Sequence, residues 1–306
     1  YPDNFEQKIG FNEIRNMLRE RCLSTLGKEQ VEKMAFSDDA EQVNEWLKQV
    51  REFRRLILEV EDFPLQYFYD VRESIVRIRI ENTHLEENEL FDLLNHSDED
   101  ESHAEENDGW RREKKYTYPS LHLLAKDIVT FPQIVQRIDQ ILDKFGKIRD
   151  NATPELLQIR RELAKTEGSI SRTLYSILRS AQSEGVVEKD VTPTLRDGRL
   201  VIPVIPTLKK KIKGIVHDES ATGKTVFIEP TEVVEANNRV RELEGEERKE
   251  IIRILTQFTN KLRPYTREIM DSYRFLAKID LIQAKQKLAE IQKAIEPEVE
   301  DHPHID

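Results

Sequence analysis

The sequence predicts a mainly α-helical protein: a helical core bundle carrying a long antiparallel two-helix arm with a small β-rich unit at its tip. Three observations predict it. Helical spacing of apolar residues fills most of the 306 positions. Two charged stretches of roughly thirty residues each keep a narrow apolar stripe, and between them the period drops from about 3.6 to two.

The composition agrees with long solvated helices. Charged residues make up 35% of the chain, above the roughly 25% of an ordinary domain, and only ten Gly and 12 Pro interrupt it. Cys22 is the sole cysteine, so no intrachain disulfide and no cysteine metal cluster can form. No apolar run approaches the ~18 residues of a membrane span. The start, Tyr1-Pro2-Asp3, lacks a signal-peptide pattern and reads as an edited terminus without its Met. A reduced, cytoplasmic protein with no membrane partner is the expectation. The net charge of -11 argues against a polyanion as partner unless cations are concentrated locally.

Taken in order, Phe11, Ile14, Leu18 and Cys22 recur at helical spacing, and Val43, Leu47, Val50 and Ile57 follow Ser37, a predicted N-cap. Thr83 with Glu86 predicts a capping box opening a helix through Leu94. Residues 75–80 fit either a strand or a helix. The stretch from Ser97 to Asp108 holds seven acids and no Lys or Arg, which predicts a mobile solvated loop. Helical pattern resumes near Ser120 and is expected to run toward Gly146. The two long helices are predicted from about Pro154 to Gln182 and from about Glu232 to Leu262, packed as an antiparallel coiled coil. After Pro264 the chain returns to helix, and its tail from Glu296 is expected to fray.

Between the long helices, Leu200–Ile205, Ile212–Val216 and Thr225–Ile228 are short β-rich runs separated by turn signals such as Asp197-Gly198. Pro193 fits the entry of an edge strand. Gly223-Lys224-Thr225 has the ending of a phosphate-binding P-loop. The first glycine of that motif is missing, because Asp218 stands there, and a β run follows where a helix is needed, so a β-turn is expected. The basic cluster is more informative. Arg196, Arg199, Lys209, Lys210, Lys211 and Lys213 face a single acid, Asp197, within their span, a local balance of about +5. Flexible ammonium groups at a turn reach phosphates without reading bases, although such a run also guards exposed strand edges. These six are the candidate contacts to a DNA backbone, with Lys224 a weaker one. His217-Asp218-Glu219-Ser220 holds catalytic residue types, but consecutive strand positions alternate in direction and do not make a triad. No metal-ligand spacing appears. Asn237 and Asn238 are assigned structural roles.

VTPTLRDGRLVIPV over 191–204, GIVHDESATGKTVFIEP over 214–230 and VVEANN over 233–238 closely resemble the clamp region of the MutS-II family, bacterial paralogues of the mismatch-repair ATPase MutS. FGKIRDNATPELLQIRREL, FNEIRNML and LSTLGKE extend the resemblance over nearly the whole chain. It implies a helical core over 1–153 with the acidic loop at 97–108, which the family core lacks. An ascending lever helix (154–185), a β-rich clamp (186–230) and a returning lever (231–263) would follow, then a helical return to the core with a frayed tail (264–306). It further implies double-stranded or branched DNA as partner and suppression of recombination. The alternative is a ribosome- or protein-binding scaffold touching rRNA in the rescue of collided ribosomes. ATP with magnesium, homodimerisation through an ATPase domain, and a nuclease domain would lie in the parent protein outside this segment. The segment itself is expected to hold no cofactor and no catalytic residue, in a nucleoid- or ribosome-associated protein of the bacterial cytoplasm.

Overall fold

A computed structural model describes residues 4–60, 67–101 and 117–301. The chain is mainly α-helical with one small antiparallel sheet. It divides into two compact units, residues 1–147 with 255–306, and residues 148–254.

Among the described residues the first unit's regular elements are all helices. It contains α1 (Phe5–Lys8), α2 (Phe11–Arg21), α3 (Thr25–Glu32), α4 (Ala40–Glu59), α5 (Arg72–Arg77), α6 (Glu87–Glu101), α7 (Pro119–Ala125) and α8 (Pro132–Ile141). Its longest member is the last helix of the chain, Thr266–Ile291, which packs against α2, α3, α4 and α5. That central position explains why Ile269, Tyr273, Ala277, Ile282, Ala284 and Leu288 are all buried, together with the polar Asp280, Gln283 and Gln286. Each buried aliphatic side chain contributes about 1.5–3 kcal/mol relative to exposure. Among the described residues no helix is long and apolar enough to cross a membrane.

Several local expectations are corrected here. The N-cap of α4 is Asp39, whose carboxylate accepts from the Gln42 N–H at 3.1 Å; Ser37 bonds Asp39 instead. The capping carboxylate at α6 is Glu89, which accepts from the Glu86 N–H at 2.8 Å, while the Thr83 hydroxyl donates to the Arg77 and Ile80 carbonyls. Residues 72–77 are helical and 78–80 form a turn, so the stretch 75–80 is not a strand and is helix only to Arg77. The helix expected from Ser120 toward Gly146 is two helices, because Pro132 cannot continue a ladder and instead opens α8 at its first turn. Within the acidic stretch, α6 continues through Glu101; residues 102–108 lie outside the described set.

The second unit opens with α9 (Pro154–Ser183). Thr153 caps it by accepting from the Leu156 N–H at 3.1 Å, and Pro154 takes the first helical position, where no donor is needed. Ile170, Leu174, Leu178 and Ala181 form its buried stripe. α10 (Val234–Leu262) contributes its residues up to Ile254 to this unit and runs antiparallel to α9. Three contacts show the direction: Thr153 to Glu250 at 2.7 Å, Arg160 to Glu247 at 2.7 Å and Arg239 to Glu162 at 2.9 Å.

Four strands lie between the two helices in the chain: β1 (Thr194–Arg196), β2 (Arg199–Val204), β3 (Gly214–Glu219) and β4 (Val226–Pro230). Their order is β1-β2-β4-β3, all neighbours antiparallel. β1, which follows Pro193, is an edge strand, where a missing donor is tolerated. Asp197 and Gly198, with φ of 48° and 73°, make the tight turn into β2. Ile202, Val204, Val226 and Ile228 join the α9 stripe, Val233 and Val240 in one core.

Candidate nucleic-acid interface

The sheet order dictates where the basic segment goes. β2 and β3 both pair antiparallel with β4 and flank it, so they are parallel to each other and their connection must cross β4. It leaves β2 at Val204, opposite Val226, and enters β3 at Gly214, opposite Pro230, at the other end of β4. Within this crossover Pro206–Lys211 form a 3-10 helix. Leu208 and Ile212 pack inward against the core of the unit. Lys209, Lys210, Lys211 and Lys213 are exposed. A four-residue spacing of two apolar anchors thus turns the lysines between and beside them outward.

The landing of the crossover is closely fitted. Thr231 donates its N–H to the Lys213 carbonyl at 3.0 Å. A Cβ on Gly214 would come within 2.1 Å of the Glu229 carbonyl oxygen, so only glycine permits this approach of the strands. Lys224 lies on the Ser220–Thr225 hairpin at the opposite end of β3, also exposed. Ser220 organises that hairpin, accepting from the Gly223 N–H through its carbonyl at 2.7 Å and from the Thr225 N–H through its hydroxyl at 3.1 Å. Strand β4 follows the Gly223-Lys224-Thr225 motif, with no helix N-terminus behind it to face a phosphate.

The two arginines of the basic cluster behave differently from the lysines. Among the described residues none of these five lysines is in a salt bridge, whereas both arginines are. The Arg196 guanidinium lies 4.1 Å from the centroid of the Phe227 ring and its Nε 3.5 Å from Asp218. Arg199 donates to the Glu229 carboxylate at 2.6 Å and also to Asn238, with its side chain 14% exposed. The two arginines are therefore engaged within the unit, whereas the lysines are exposed and, among the described residues, in no salt bridge.

Glu229 is the residue that sequence reasoning missed. Its side chain is 0% exposed, and it collects donors from three other elements: Arg199 on β2, His217 on β3 and Asn237 on α10, the last at 2.8 Å. Burial pushes its carboxyl pKa up, but the hydrogen bonds from Asn237, His217 and Arg199 outweigh that and hold it below the usual carboxylate range. His217 reaches it because the β3–β4 register shifts between Val216 and Asp218, and a bulge re-aims a side chain. His217 thus contacts β4 and makes no constellation with Asp218, Glu219 and Ser220. The signal in the sequence was a charge inside the apolar run Val226-Phe227-Ile228-Glu229-Pro230, which demands a buried partner. Among the described residues no group of three or more His, Cys, Asp or Glu could hold a metal ion.

No family model matches the chain. Curated proteins do. It is 33% identical over 297 residues, 97% of its length, to the protein named Endonuclease MutS2 of Geobacillus sp. (strain WCH70), covering 38% of that protein. To Endonuclease MutS2 of Alkaliphilus oremlandii (strain OhILAs) it is 30% identical over 94% of its length, covering 36% of the relative. The chain belongs to the MutS2-related family. It spans little more than a third of the length of these MutS2 relatives. Over 180 residues it is 40% identical to Endonuclease MutS2 of Lacticaseibacillus paracasei (strain ATCC 334).

Proposed function

We propose that this chain is the core, lever and clamp region of a DNA-binding protein of the MutS2 type, gripping the DNA backbone without reading sequence. The observation that carries the reading is the crossover: Lys209, Lys210, Lys211 and Lys213 stand exposed, and in no salt bridge among the described residues, on a core-anchored segment of a protein whose net charge is -11. Ammonium groups held this way contact phosphates and fix position on a duplex. Lys224 extends the surface at the far hairpin, Arg196 contributes its exposed edge, and Arg199 acts from within through Glu229. The antiparallel α9–α10 pair serves as the lever that relays the grip. ATP, magnesium, homodimerisation and the nuclease step in the relatives' name belong, in this reading, to sequence outside this chain.

The test replaces Lys209, Lys210, Lys211 and Lys213 with Ala and measures affinity for duplex and branched DNA against salt. Each cation withdrawn from a phosphate lowers the slope of log K on log salt by about 0.9, so the slope should fall by roughly three to four. An unchanged slope overturns the assignment. Stronger competition by a structured ribosomal RNA than by either DNA would replace the DNA reading with the ribosomal one.

A further inference from the structure

The carboxylate of Glu229 sits at the end of the sheet where the basic crossover lands. It ties β2, β3 and α10 together through a single group: Arg199 and Asn237 share its Oε1, and His217 takes Oε2. β2 and β3 are the two strands that the crossover connects, and this group holds its landing end beside Gly214, while the departure at Val204 lies at the other end of β4. β3 needs such a tie. It is an edge strand pairing only with β4, and Ile215 and Val216 are 48% and 49% exposed, so its own packing does little to fix it. The Glu229 backbone adds to the same joint through its close approach to Gly214.

We propose that Glu229 is the positioning residue of the phosphate-gripping surface: its carboxylate fixes β3, and through β3 the disposition of Lys209, Lys210, Lys211 and Lys213, without touching the nucleic acid. The proposal rests on the DNA-binding reading above, and one of its measurements is independent of that reading. It also makes a prediction opposite in sign to simple electrostatics. Glu229→Gln removes a negative charge next to the basic surface and releases Arg199, so charge alone would tighten polyanion binding. Positioning requires binding to weaken.

The experiment compares the 306-residue chain with Glu229→Gln, His217→Ala and the four-lysine Ala variant, each titrated with a short duplex DNA at several salt concentrations. Hydrogen exchange is followed without DNA over residues 205–216 and over α9. The expected result for Glu229→Gln is affinity reduced about tenfold with the salt slope lower by one to two, the signature of one or two phosphates no longer engaged. Exchange should speed up over 205–216 and stay unchanged over 156–178. His217→Ala removes a partly exposed side chain and leaves the Arg199–Glu229–Asn237 bonds in place, so it keeps the test open should Glu229→Gln fail to fold. It should show the same two changes at smaller size. Tighter binding by Glu229→Gln, or unchanged exchange over 205–216 in both variants, overturns the positioning role. Unchanged binding by the four-lysine variant, with exchange altered in the other two, overturns the DNA reading while leaving the mechanical role of Glu229 standing.

Discussion

Each of the two units contains a buried carboxylate that gathers chain segments, and the two are solvated by the protein in opposite ways. In the first unit Asp280 is 2% exposed and accepts from the Leu23 N–H at 2.9 Å, the Ser24 N–H at 2.9 Å, the Ser24 hydroxyl at 2.7 Å and the Gln283 amide at 3.1 Å. Every one of those donors is neutral. In the second unit Glu229 accepts from a permanently charged guanidinium, an imidazole and an amide. Asp280 joins the last helix of the chain to the N-cap of α3, where Ser24 also accepts from the Gly27 N–H at 3.0 Å. Such a group is a joint of the fold. Glu229 is charge-compensated by Arg199, so it leaves the lysine surface beside it net positive. The same residue chemistry joins a helix to a helix N-cap in one unit and, in the other, ties two strands and a helix through a charged pair.

The sharpest way to break the comparison is Asp280→Ala. It orphans two backbone donors and a hydroxyl in a buried site, each of which costs about 1–3 kcal/mol when left unpaired. A loss of about 3–5 kcal/mol in urea unfolding is expected, even allowing for partial relaxation around the cavity. Glu229→Gln keeps its shape and much of its hydrogen bonding, so it should cost clearly less. A loss below about 1 kcal/mol for Asp280→Ala would show that the N-terminal helices are held by packing alone.

The second prediction uses pH. The folded-state pKa of Glu229 lies below the carboxylate range, against about 4.3 for an unfolded Glu. Its pairing therefore contributes stability that is fully present above the unfolded value and is lost as pH falls through the folded one. On protonation, Arg199 would face a neutral partner. Glu250 acts in the same direction in this unit, lowered by its bond from Arg253 against burial and aided by Thr153. The difference between the chain and Glu229→Gln isolates the Glu229 share. Exchange protection of 226–230 should favour the unsubstituted chain at pH 7, and that advantage should shrink below about pH 4. A difference that is constant down to pH 3 would mean that the ionised form is not what the site stabilises.

How much of this was legible in the sequence depended on whether the deciding interaction was local. α9 was predicted from about Pro154 to Gln182 and is found at Pro154–Ser183, because its cap, its first proline and its apolar stripe are all near neighbours in the chain. The four-residue anchoring of the crossover was hidden, since Leu208 and Ile212 sit in a Lys-rich run whose charge dominates any window. The break between α7 and α8 was visible in Pro132 and was overridden by periodicity. Glu229, Asn237 and His217 lie within 21 positions of one another in the chain. Their convergence still required the β3 bulge and the strand order, neither of which leaves a local mark. Arg196 and Arg199 group with the lysines on charge, and only the fold separates cations paired with Asp218 and Glu229 from those in no salt bridge among the described residues.

The smallest predicted effect concerns the hairpin that mimics a phosphate loop, at the far end of β3 from Glu229. Gly223 has φ of 66°, and a Cβ there would meet only the Glu219 carboxylate, at 3.3 Å, the movable end of a flexible side chain. The cost of Gly223→Ala is therefore conformational, about 1 kcal/mol for a non-glycine residue in the left-handed region, and Gly223→Asn should cost less because asparagine tolerates that region. In a phosphate loop the same glycine would serve close approach of an anion to the backbone, and either substitution would abolish nucleotide binding with little regard to φ. The two accounts separate cleanly. A turn gives a graded loss of stability, Ala worse than Asn, with the salt slope for DNA unchanged because Lys224 keeps its place at the hairpin. An equal and complete loss of DNA binding in both variants would instead move the centre of the interface from the crossover to this hairpin, and with it the weight placed on Glu229.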